Sequence, residues 1–599
     1  MKCIKNRVRK EVERGCIGSD LSCPYHPSHF IGQDCTFCYC PFYPCRDPLL
    51  GKSIVSKRGG DIWDCSDCLF IHRTEAVEFI MKEIRDRGFD NCDDGVMKEI
   101  LEETKKRFWR KGKALMVLGA TSDAGKSITV TALCRILQRK GMLVVPFKSQ
   151  NMSLNSKVTR TGSEIAMIQA LQAQAAGLKN TNHHMNPILM KPKGDTTSQV
   201  IVHGKPFGDY DVESYYREFV PGPGIKAVRE SLDFLKNRYD AVIMEGAGSP
   251  AEINIYDYDI ANMKAAEAAD ADCILVVNAE WGGSFAYALG TVELIPEEDR
   301  KRIKGIVINN VRGDPEKMKS GVKELEELTG IPVIGIISHA DVRLPAEDSN
   351  SFRISCEAGD GKITVAVVKF PRISNFSDFD PLLLEDVSIR FVETPEGLDD
   401  VDAVILPGTK NTISDLNWMK DNGIALKLES IKGKIPIMGI CGGYQMMGKL
   451  LSDPDGVEGI PSEAEGLGFF DDVTVWKKGT DVLRRADGKI LSRGGDVSGY
   501  ETHEGITEVK ENPLFGFKTF NGDFMEGSVR ENELLLGTYL HGVFDSVDFR
   551  NYFLSFIENA GQGSGIDYYE FLDENIDRLA DVFENALDMD AIMKLTEAD

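Results

Sequence analysis

Apolar runs of four to six residues recur along the chain from residue 114 onward, and polar or glycine-rich segments follow them. Runs of this length favour buried strands, and the apolar residues that recur at helical spacing between them favour helices. This alternation predicts an α/β protein with parallel sheets. The predicted strands are residues 114–118, 143–147, 241–244, 273–277, 305–308, 363–368, 403–406 and 435–440.

Helical spacing also marks two regions outside these strands. Val77, Ile80 and Ile84 predict a helix that ends at the polar residues 90–95, and a second helix leads from there to the first strand of the series. After residue 560 the chain is acidic, and Leu572, Ile576 and later apolar residues predict one docked amphipathic helix.

The pattern divides the chain into six segments. They are a cysteine-rich module (1–73), a helical connector (74–111), a first large domain (112–346), a linker (347–362), a second large domain (363–560) and a C-terminal helix (561–599).

Composition narrows the class of protein. A length of 599 residues requires several domains, and 70 basic against 94 acidic side chains argue against general nucleic-acid binding. No apolar run reaches the ~18 residues of a membrane helix, and the charged N-terminus lacks the apolar core of a signal peptide. We therefore expect a cytoplasmic protein without membrane or nucleic-acid partners; its oligomeric state cannot be predicted.

A phosphate-binding loop lies between the strand 114–118 and the helix that follows it. The loop contains Gly119, Thr121, Asp123 and Gly125 and ends in Lys126-Ser127. Backbone N–H groups and the positive end of a helix bind phosphate, and such a lysine and serine contact the terminal phosphates and Mg²⁺. Five residues separate the two glycines, where the usual loop has four. The motif predicts an ATP site with Mg²⁺.

Polar residues at the ends of later strands extend this predicted site. Glu245 ends the strand 241–244, where a carboxylate can hold Mg²⁺. Asn309 and Asn310 end the strand 305–308, and we expect their amides to read the adenine edge. The Asn-rich turn 148–156 ends the strand 143–147 and belongs at the same crevice.

The second large domain carries a nucleophile motif. Gly439-Ile440-Cys441-Gly442-Gly443 follows the strand 435–440, and glycines at −2 and +2 are typical of a sharp strand-to-helix elbow. The helix N-terminus lowers the pKa of a thiol there and places an N–H beside a developing oxyanion. We expect the second oxyanion donor in the backbone near Gly408.

A cysteine nucleophile requires a base, and His541 follows another apolar run about a hundred residues later. Val543 occupies the position, two residues after the histidine, where many class I glutamine amidotransferases carry glutamate. The sequence therefore predicts a Cys441–His541 dyad. His503 is a competing histidine, for which we favour a substrate-binding or structural role.

The N-terminal module contains most of the 14 cysteines: ten lie before residue 100. Cys35 and Cys38 form one CxxC pair and Cys65 and Cys68 another, which is close to the spacing of a four-thiolate zinc site. We predict that these four cysteines bind one Zn²⁺. An iron–sulfur cluster and free thiols remain as alternatives.

Four segments resemble the cobyric acid synthase family: residues 147–156, 169–177, 185–192 and 246–254. The lengthened phosphate loop is similar to the ATP-binding domain of that family, which resembles dethiobiotin synthetase, and the elbow is similar to class I glutamine amidotransferases, whose fold is flavodoxin-like. The resemblance covers residues 114–599, so the cysteine-rich module and the connector lie outside it.

The resemblance implies a glutamine-hydrolysing carbon–nitrogen ligase of cobalamin biosynthesis. It implies ATP- and glutamine-dependent amidation of the b, d, e and g carboxylates of adenosylcobyrinic acid a,c-diamide. One alternative is a sister enzyme, cobyrinic acid or nickel-sirohydrochlorin a,c-diamide synthase. Two others are a non-catalytic ATPase switch of the partitioning type and a metal-delivery or sensing protein.

Overall fold

A six-stranded parallel sheet forms the core of the first large domain in the computed structural model, which describes residues 2–56, 59–193, 196–345, 357–518 and 522–597, without the side chains of residues 2–6. Its central strands are almost entirely apolar and buried, as expected for a parallel sheet covered on both faces. In spatial order the strands are Val333–Ser338, Ile303–Val311, Asp272–Asn278, Lys113–Gly119, Ala241–Glu245 and Val144–Phe147.

Helices and a second, smaller sheet complete this domain. The main helices are Lys126–Arg139, Met167–Ala175, Ile225–Lys236, Met263–Ala269, Ser284–Leu294 and Lys319–Thr329. The four-stranded sheet has the order Lys205–Asp211, Thr197–Val202, Ile188–Pro192 and Gln150–Met152, and a separate hairpin pairs Ser156–Val158 with Glu164–Ala166. In the sequence, both lie between the strand Val144–Phe147 and the helix Ile225–Lys236.

The second large domain is built on a seven-stranded sheet with a parallel centre and antiparallel edges. In spatial order its strands are Glu357–Ala358, Val387–Val392, Ile363–Val368, Ala403–Leu406, Ile437–Ile440, Leu535–Thr538 and Ser528–Arg530. The helices are Thr412–Asp421, Ile424–Ile431, Gly442–Met447 and Val547–Leu554, with a 3₁₀ helix at Phe376–Leu384. The carboxyl ends of the parallel strands meet at one edge, where ligand sites form in such sheets.

Two four-stranded sheets extend from the second half of this domain. One has the order Ser462–Glu465, Leu450–Asp453, Val473–Val475 and Ile506–Glu508, and the other has the order Asp496–His503, Val482–Ile490, Phe515–Phe517 and Phe524–Glu526. The strand Asp496–His503 also reaches the end of the main sheet, because Tyr500 and His541 form a β-bridge.

The N-terminal module contains the helix Lys2–Arg14 and a short hairpin that pairs Lys52–Val55 with Asp61–Asp64. The connector that follows forms the helices Thr74–Arg87 and Asp94–Phe108. The module rests on the first large domain, since Arg73 pairs with Asp240 at 2.6 Å and Phe30 forms a β-bridge with Leu178.

The acidic tail forms two helices, Tyr568–Ala586 and Met589–Thr596, where the pattern predicted one. The second begins at Asp588, whose side chain accepts a hydrogen bond from the backbone of Ala591. The longer helix packs on Lys126–Arg139, where Arg135 binds Asp573 and Arg139 pairs with Asp581 at 2.6 Å. The tail therefore returns to the first large domain, which buries its apolar face.

The strands and the two N-terminal helices predicted from apolar spacing are confirmed, with boundaries that differ by a few residues. The predicted linker, 347–362, lies mostly outside the described residues, and Glu357–Ala358 within it forms an edge strand. Among the helices of the described ranges, none is long and apolar enough to cross a membrane.

Candidate active site

Cys441 occupies a strained backbone position between the strand Ile437–Ile440 and the helix Gly442–Met447. Its φ is 52°, in the left-handed region that side chains rarely adopt. The flanking glycines permit the turn: a Cβ on Gly439 would lie 2.6 Å from Cα of Tyr444, and one on Gly443 would lie 2.0 Å from the carbonyl oxygen of Leu406. The elbow thus holds the thiol at the carboxyl edge of the sheet.

His541 lies beside Cys441 and is oriented by an acid that sequence analysis missed. The imidazole interacts with the Cys441 thiol, while its Nδ1 lies 2.7 Å from Oδ2 of Asp378. The other carboxylate oxygen of Asp378 accepts a hydrogen bond of 3.0 Å from the backbone N–H of Gly542. Asp378 thus joins the predicted Cys441–His541 pair, an arrangement typical of a Cys–His–Asp triad.

The charge of this triad is set by competition between burial and its own members. Burial lowers the pKa of His541, but the Asp378 carboxylate and then Cys441 outweigh it and raise this pKa to about 10. The raised pKa favours the imidazolium form of His541. A thiolate–imidazolium pair is the reactive form of a cysteine nucleophile.

The region expected to supply the second oxyanion donor lies next to the elbow. A Cβ on Gly442 would lie 3.1 Å from the backbone nitrogen of Thr409, and one on Gly408 would lie 3.0 Å from Cε1 of His541. The competing histidine, His503, stacks on Tyr539 with ring centroids 3.8 Å apart, and its Nδ1 lies 3.2 Å from the carbonyl oxygen of Gly505. That environment favours a role in shaping the pocket.

The cleft around Cys441 is lined by both large domains. The second domain contributes Cys441, His541 and Lys410 among other residues, and the first contributes Glu164 and Lys191. Glu164 and Lys191 form a buried ion pair, and the hydroxyl of Thr502 lies 3.5 Å from Glu164. The pocket is therefore formed by residues of both domains.

The phosphate loop occupies the carboxyl end of the strand Lys113–Gly119. Lys126 folds over it and donates hydrogen bonds to the carbonyls of Thr121, at 3.0 Å, and Gly248, at 2.9 Å. A Cβ on Gly119 would lie 2.8 Å from the Lys126 amine, so glycine leaves room for this side chain. Asp123 and Gly125 have positive φ, which turns the lengthened loop back toward the helix Lys126–Arg139.

Ser127 and Glu245, the predicted Mg²⁺ ligands, meet beside this loop. The Ser127 hydroxyl donates to Oε1 of Glu245 at 2.9 Å. The same carboxylate binds Lys148 at 2.7 Å and accepts a hydrogen bond of 2.5 Å from Gln172, two partners that sequence analysis did not identify. Adjacent hydroxyl and carboxylate oxygens suit Mg²⁺, so these residues fit the ion.

The two asparagines expected to read adenine have different surroundings. The Asn309 amide lies under the phosphate loop, 3.3 Å from the carbonyl of Ala124, and fills the space beside Gly125. Asn310 lies further out, donating to Glu280 at 2.5 Å and contacting His339 at 2.6 Å. Asn309 thus contacts the loop backbone, and Asn310 is the more accessible of the two.

Members of both CxxC pairs line one cavity of the N-terminal module, where Cys38 lies with Cys40, Cys45, Cys65 and Cys68. Burial, followed by the neighbouring Cys68, Cys65 and Cys45, raises the pKa of Cys40. Burial also raises the pKa of Cys38, to which Cys35 and Cys23 contribute. No group of three or more His, Cys, Asp or Glu side chains in the described ranges is arranged to hold a metal ion. That Cys35, Cys38, Cys65 and Cys68 bind one Zn²⁺ stays a prediction.

Family models match three parts of the chain. Residues 15–91 match a cysteine-rich small domain, and residues 115–351 match the CobQ/CobB/MinD/ParA nucleotide binding domain. Residues 364–549 match the CobB/CobQ-like glutamine amidotransferase domain. The predicted order, a cysteine-rich module, a P-loop ATP-binding domain and a glutamine amidotransferase domain, is confirmed.

Curated relatives match most of the chain. A probable cobyric acid synthase of Methanothermobacter thermautotrophicus is 45% identical over 81% of this chain and 99% of its own length. A second, from Methanosphaera stadtmanae, is 45% identical over 80% of this chain and 98% of its own. A third, from Methanosarcina acetivorans, is 43% identical over 81% and 99%.

Proposed function

Because the chain belongs to the cobyric acid synthase family, we propose that it amidates the b, d, e and g carboxylates of adenosylcobyrinic acid a,c-diamide. The enzyme is a glutamine-hydrolysing ligase. The observation that carries the proposal is the pairing of a complete Cys–His–Asp triad with an ATP-type phosphate loop in one chain. We further propose that it acts in the cytoplasm.

The triad would release ammonia from glutamine. The Cys441 thiolate attacks the side-chain amide, and backbone N–H groups of the elbow stabilise the oxyanion. His541 gives its proton to the leaving ammonia, and a thioester remains on the sulfur. Water, deprotonated by His541, then attacks the thioester, which releases glutamate and restores the Cys441 thiolate beside the protonated imidazole. Asp378 keeps the imidazole in the orientation that both transfers require.

The phosphate loop would activate the carboxylate that receives this ammonia. A carboxylate oxygen of the corrinoid attacks the γ-phosphate of ATP, giving an acyl phosphate and ADP, and ammonia then displaces phosphate to form the amide. Lys126 and the loop N–H groups would stabilise the charge on the transferred group. Ser127 and Glu245 would hold Mg²⁺, which supplies further charge neutralisation.

The corrinoid that the enzyme accepts as substrate distinguishes the proposed reaction from that of an a,c-diamide synthase. Purified enzyme with ATP, Mg²⁺ and glutamine should add four amides to the a,c-diamide and leave unamidated cobyrinic acid unchanged, as judged by the masses of the products. Two amides added to cobyrinic acid, with the a,c-diamide unchanged, would identify an a,c-diamide synthase.

Replacing Asp378 should shift the pH dependence of glutamine hydrolysis. Since Asp378 raises the pKa of His541 toward about 10 against the effect of burial, its loss lets burial lower that pKa. In Asp378→Asn, the alkaline limb of the profile should move to lower pH, and kcat should fall on the order of 100-fold. Glutamate release from pH 6 to 10 measures both quantities.

Asp386→Asn, which removes an exposed carboxylate that pairs with Lys362 just beyond the same 3₁₀ helix, is the matched control. It should keep the wild-type alkaline limb. An Asp378→Asn profile that coincides with the wild type would show that the acid does not act on the histidine.

For the cysteine-rich module we propose a Zn²⁺ site that includes Cys65 and Cys68. These two belong to the set predicted from spacing, and they line one cavity with Cys38, Cys40 and Cys45, whereas Cys35 of the other group lies outside that lining. Four thiolates from this cavity would suit a structural zinc ion once the side chains close around it.

Elemental analysis tests the zinc proposal. The wild type should contain zinc, Cys40→Ser should lose it, and Cys35→Ser, the matched removal of a thiol from the other group, should retain it. Iron with visible absorption, or no metal at all, would contradict the proposal.

A further inference from the structure

We propose that Asn155, in the ATP-binding domain, is a positioning residue for the glutaminase triad and acts on Asp378 through Ser377. This inference rests on the proposed function, because it assigns a role in glutamine hydrolysis to a residue of the other domain. The family match places residues 115–351 in the nucleotide-binding domain and residues 364–549 in the amidotransferase domain. The contact therefore crosses between the two domains.

The direct link is a hydrogen bond between two buried side chains. The Ser377 hydroxyl donates to the amide oxygen of Asn155 at 2.9 Å, and both residues are almost completely buried. Ser377 immediately precedes Asp378, so this bond fixes the backbone that carries the triad acid. Asp378 in turn lies 2.7 Å from Nδ1 of His541.

A second set of contacts holds the start of the same 3₁₀ helix, Phe376–Leu384. Its N-cap residue, Asn375, has a φ of 51° and donates its backbone N–H to the carbonyl of Leu154 at 3.2 Å. The Asn375 side chain accepts from the N–H of Ser156 at 3.3 Å and donates to its carbonyl at 3.4 Å. Tyr500 donates to that same carbonyl at 2.8 Å. Residues 154–156 thus anchor Asn375 and Ser377, two of the three residues from the N-cap to Asp378.

The segment 148–156, which ends in these anchoring residues, begins at the proposed ATP site. It follows the strand Val144–Phe147, and its first residue, Lys148, binds Glu245 at 2.7 Å. One short stretch of chain therefore connects a proposed Mg²⁺ ligand to the support of the triad acid. A change at Glu245 that moves Lys148 has a direct route to Asp378.

The bond between Ser377 and Asn155 matters for the position of Asp378 more than for the stability of the fold. Proton transfer by His541 depends on the orientation that Asp378 imposes, and a displacement of about 1 Å in such a group can cost on the order of 100-fold in rate. The Asn155 amide nitrogen is buried and has no hydrogen-bond partner among the described residues. The Asn155 side chain is therefore held by the bond from Ser377 to its amide oxygen, and removing that bond should displace Asp378.

The test is a double-mutant cycle on the intact enzyme: Asn155→Ala, Ser377→Ala and the double variant. Glutamine hydrolysis is measured as a function of pH, and ammonium-dependent amidation reports whether the ATP site and the fold are intact. Asn151→Ala is the control, because it removes a buried amide of the same segment whose partner is Gln169.

We expect both single variants to lose glutaminase kcat by about ten- to a hundred-fold. Their alkaline limb should move to lower pH, as in Asp378→Asn, while ammonium-dependent amidation persists. The double variant should be no worse than either single one, since each removes the same hydrogen bond. Asn151→Ala should keep the wild-type alkaline limb.

Losses that multiply in the double variant, or an unshifted alkaline limb in a single variant that still uses ammonium, would overturn the positioning role alone. If Asn155→Ala does not fold, the smaller change Ser377→Ala decides the question with the same two readouts. A wild-type enzyme without glutaminase activity would refute the proposed function and this inference together.

Discussion

The Cys441→Ala variant is expected to lose glutamine-dependent amidation and to keep amidation driven by ammonium. Cys441 is the proposed nucleophile, and removing a nucleophile of this kind costs on the order of 10³-fold or more in rate. The acyl phosphate forms at the other domain, so supplied ammonia should still be consumed. The ammonium route should strengthen at higher pH, where more free NH₃ is present. Product mass with each nitrogen source measures both routes.

Companion variants sharpen this result. His541→Ala should show the same pattern, and Cys441→Ser should too, because a serine hydroxyl is not ionised near neutral pH. Cys273→Ala, the loss of a buried thiol from the first large domain, should use glutamine normally. A Cys441→Ala enzyme that still uses glutamine, or a folded one that fails with ammonium, would contradict the two-site account.

The Lys126→Ala variant is expected to fail with glutamine and with ammonium alike, since the electrophile is never made. A cation at a transferring phosphoryl group is typically worth ~3–4 kcal/mol, or hundreds-fold in rate. The Lys126 amine lies within the loop, 3.0 Å from the carbonyl of Thr121. A bound triphosphate would replace that carbonyl as its partner. ADP formation with each nitrogen source is the measurement.

Lys140→Ala provides the matched control, because Lys140 follows the same helix and pairs with Glu584 at 2.8 Å on the surface. It should retain both activities. Near-normal turnover in Lys126→Ala would show that the lengthened loop does not bind the phosphates.

Local motifs were predictable from the sequence because their residues are neighbours in the chain. The strand, turn and helix around Lys126 follow one another directly, and so do the strand, elbow and helix around Cys441. Glycine is required at 439 and 443 by close backbone contacts, and that requirement leaves a visible sequence signature.

Asp378 could not be predicted in the same way. It comes from a different part of the chain, before the elbow, and no fixed spacing relates it to His541. The available signal was an acidic residue within the largely apolar stretch 376–384, where burial of a carboxylate requires a partner. The position two residues after the histidine, where the dyad argument looked for an acid, carries Val543 instead.

In two other places the sequence did not show which parts of the chain would contact each other. CxxC spacing indicates which cysteines can share a turn, but not which turns meet, and the structure places Cys40 beside Cys65 and Cys68. The apolar face of the tail predicted docking, whereas its partner became clear only from contacts such as Arg139 with Asp581.

The most direct test of the central claim is amide transfer from labelled glutamine. Wild-type enzyme, given the a,c-diamide, ATP, Mg²⁺ and glutamine labelled with ¹⁵N in its side-chain amide, should yield a corrinoid with four labelled amides. One ADP and one glutamate should accompany each amide. A corrinoid that gains no labelled nitrogen while ATP and glutamine are consumed would contradict the account.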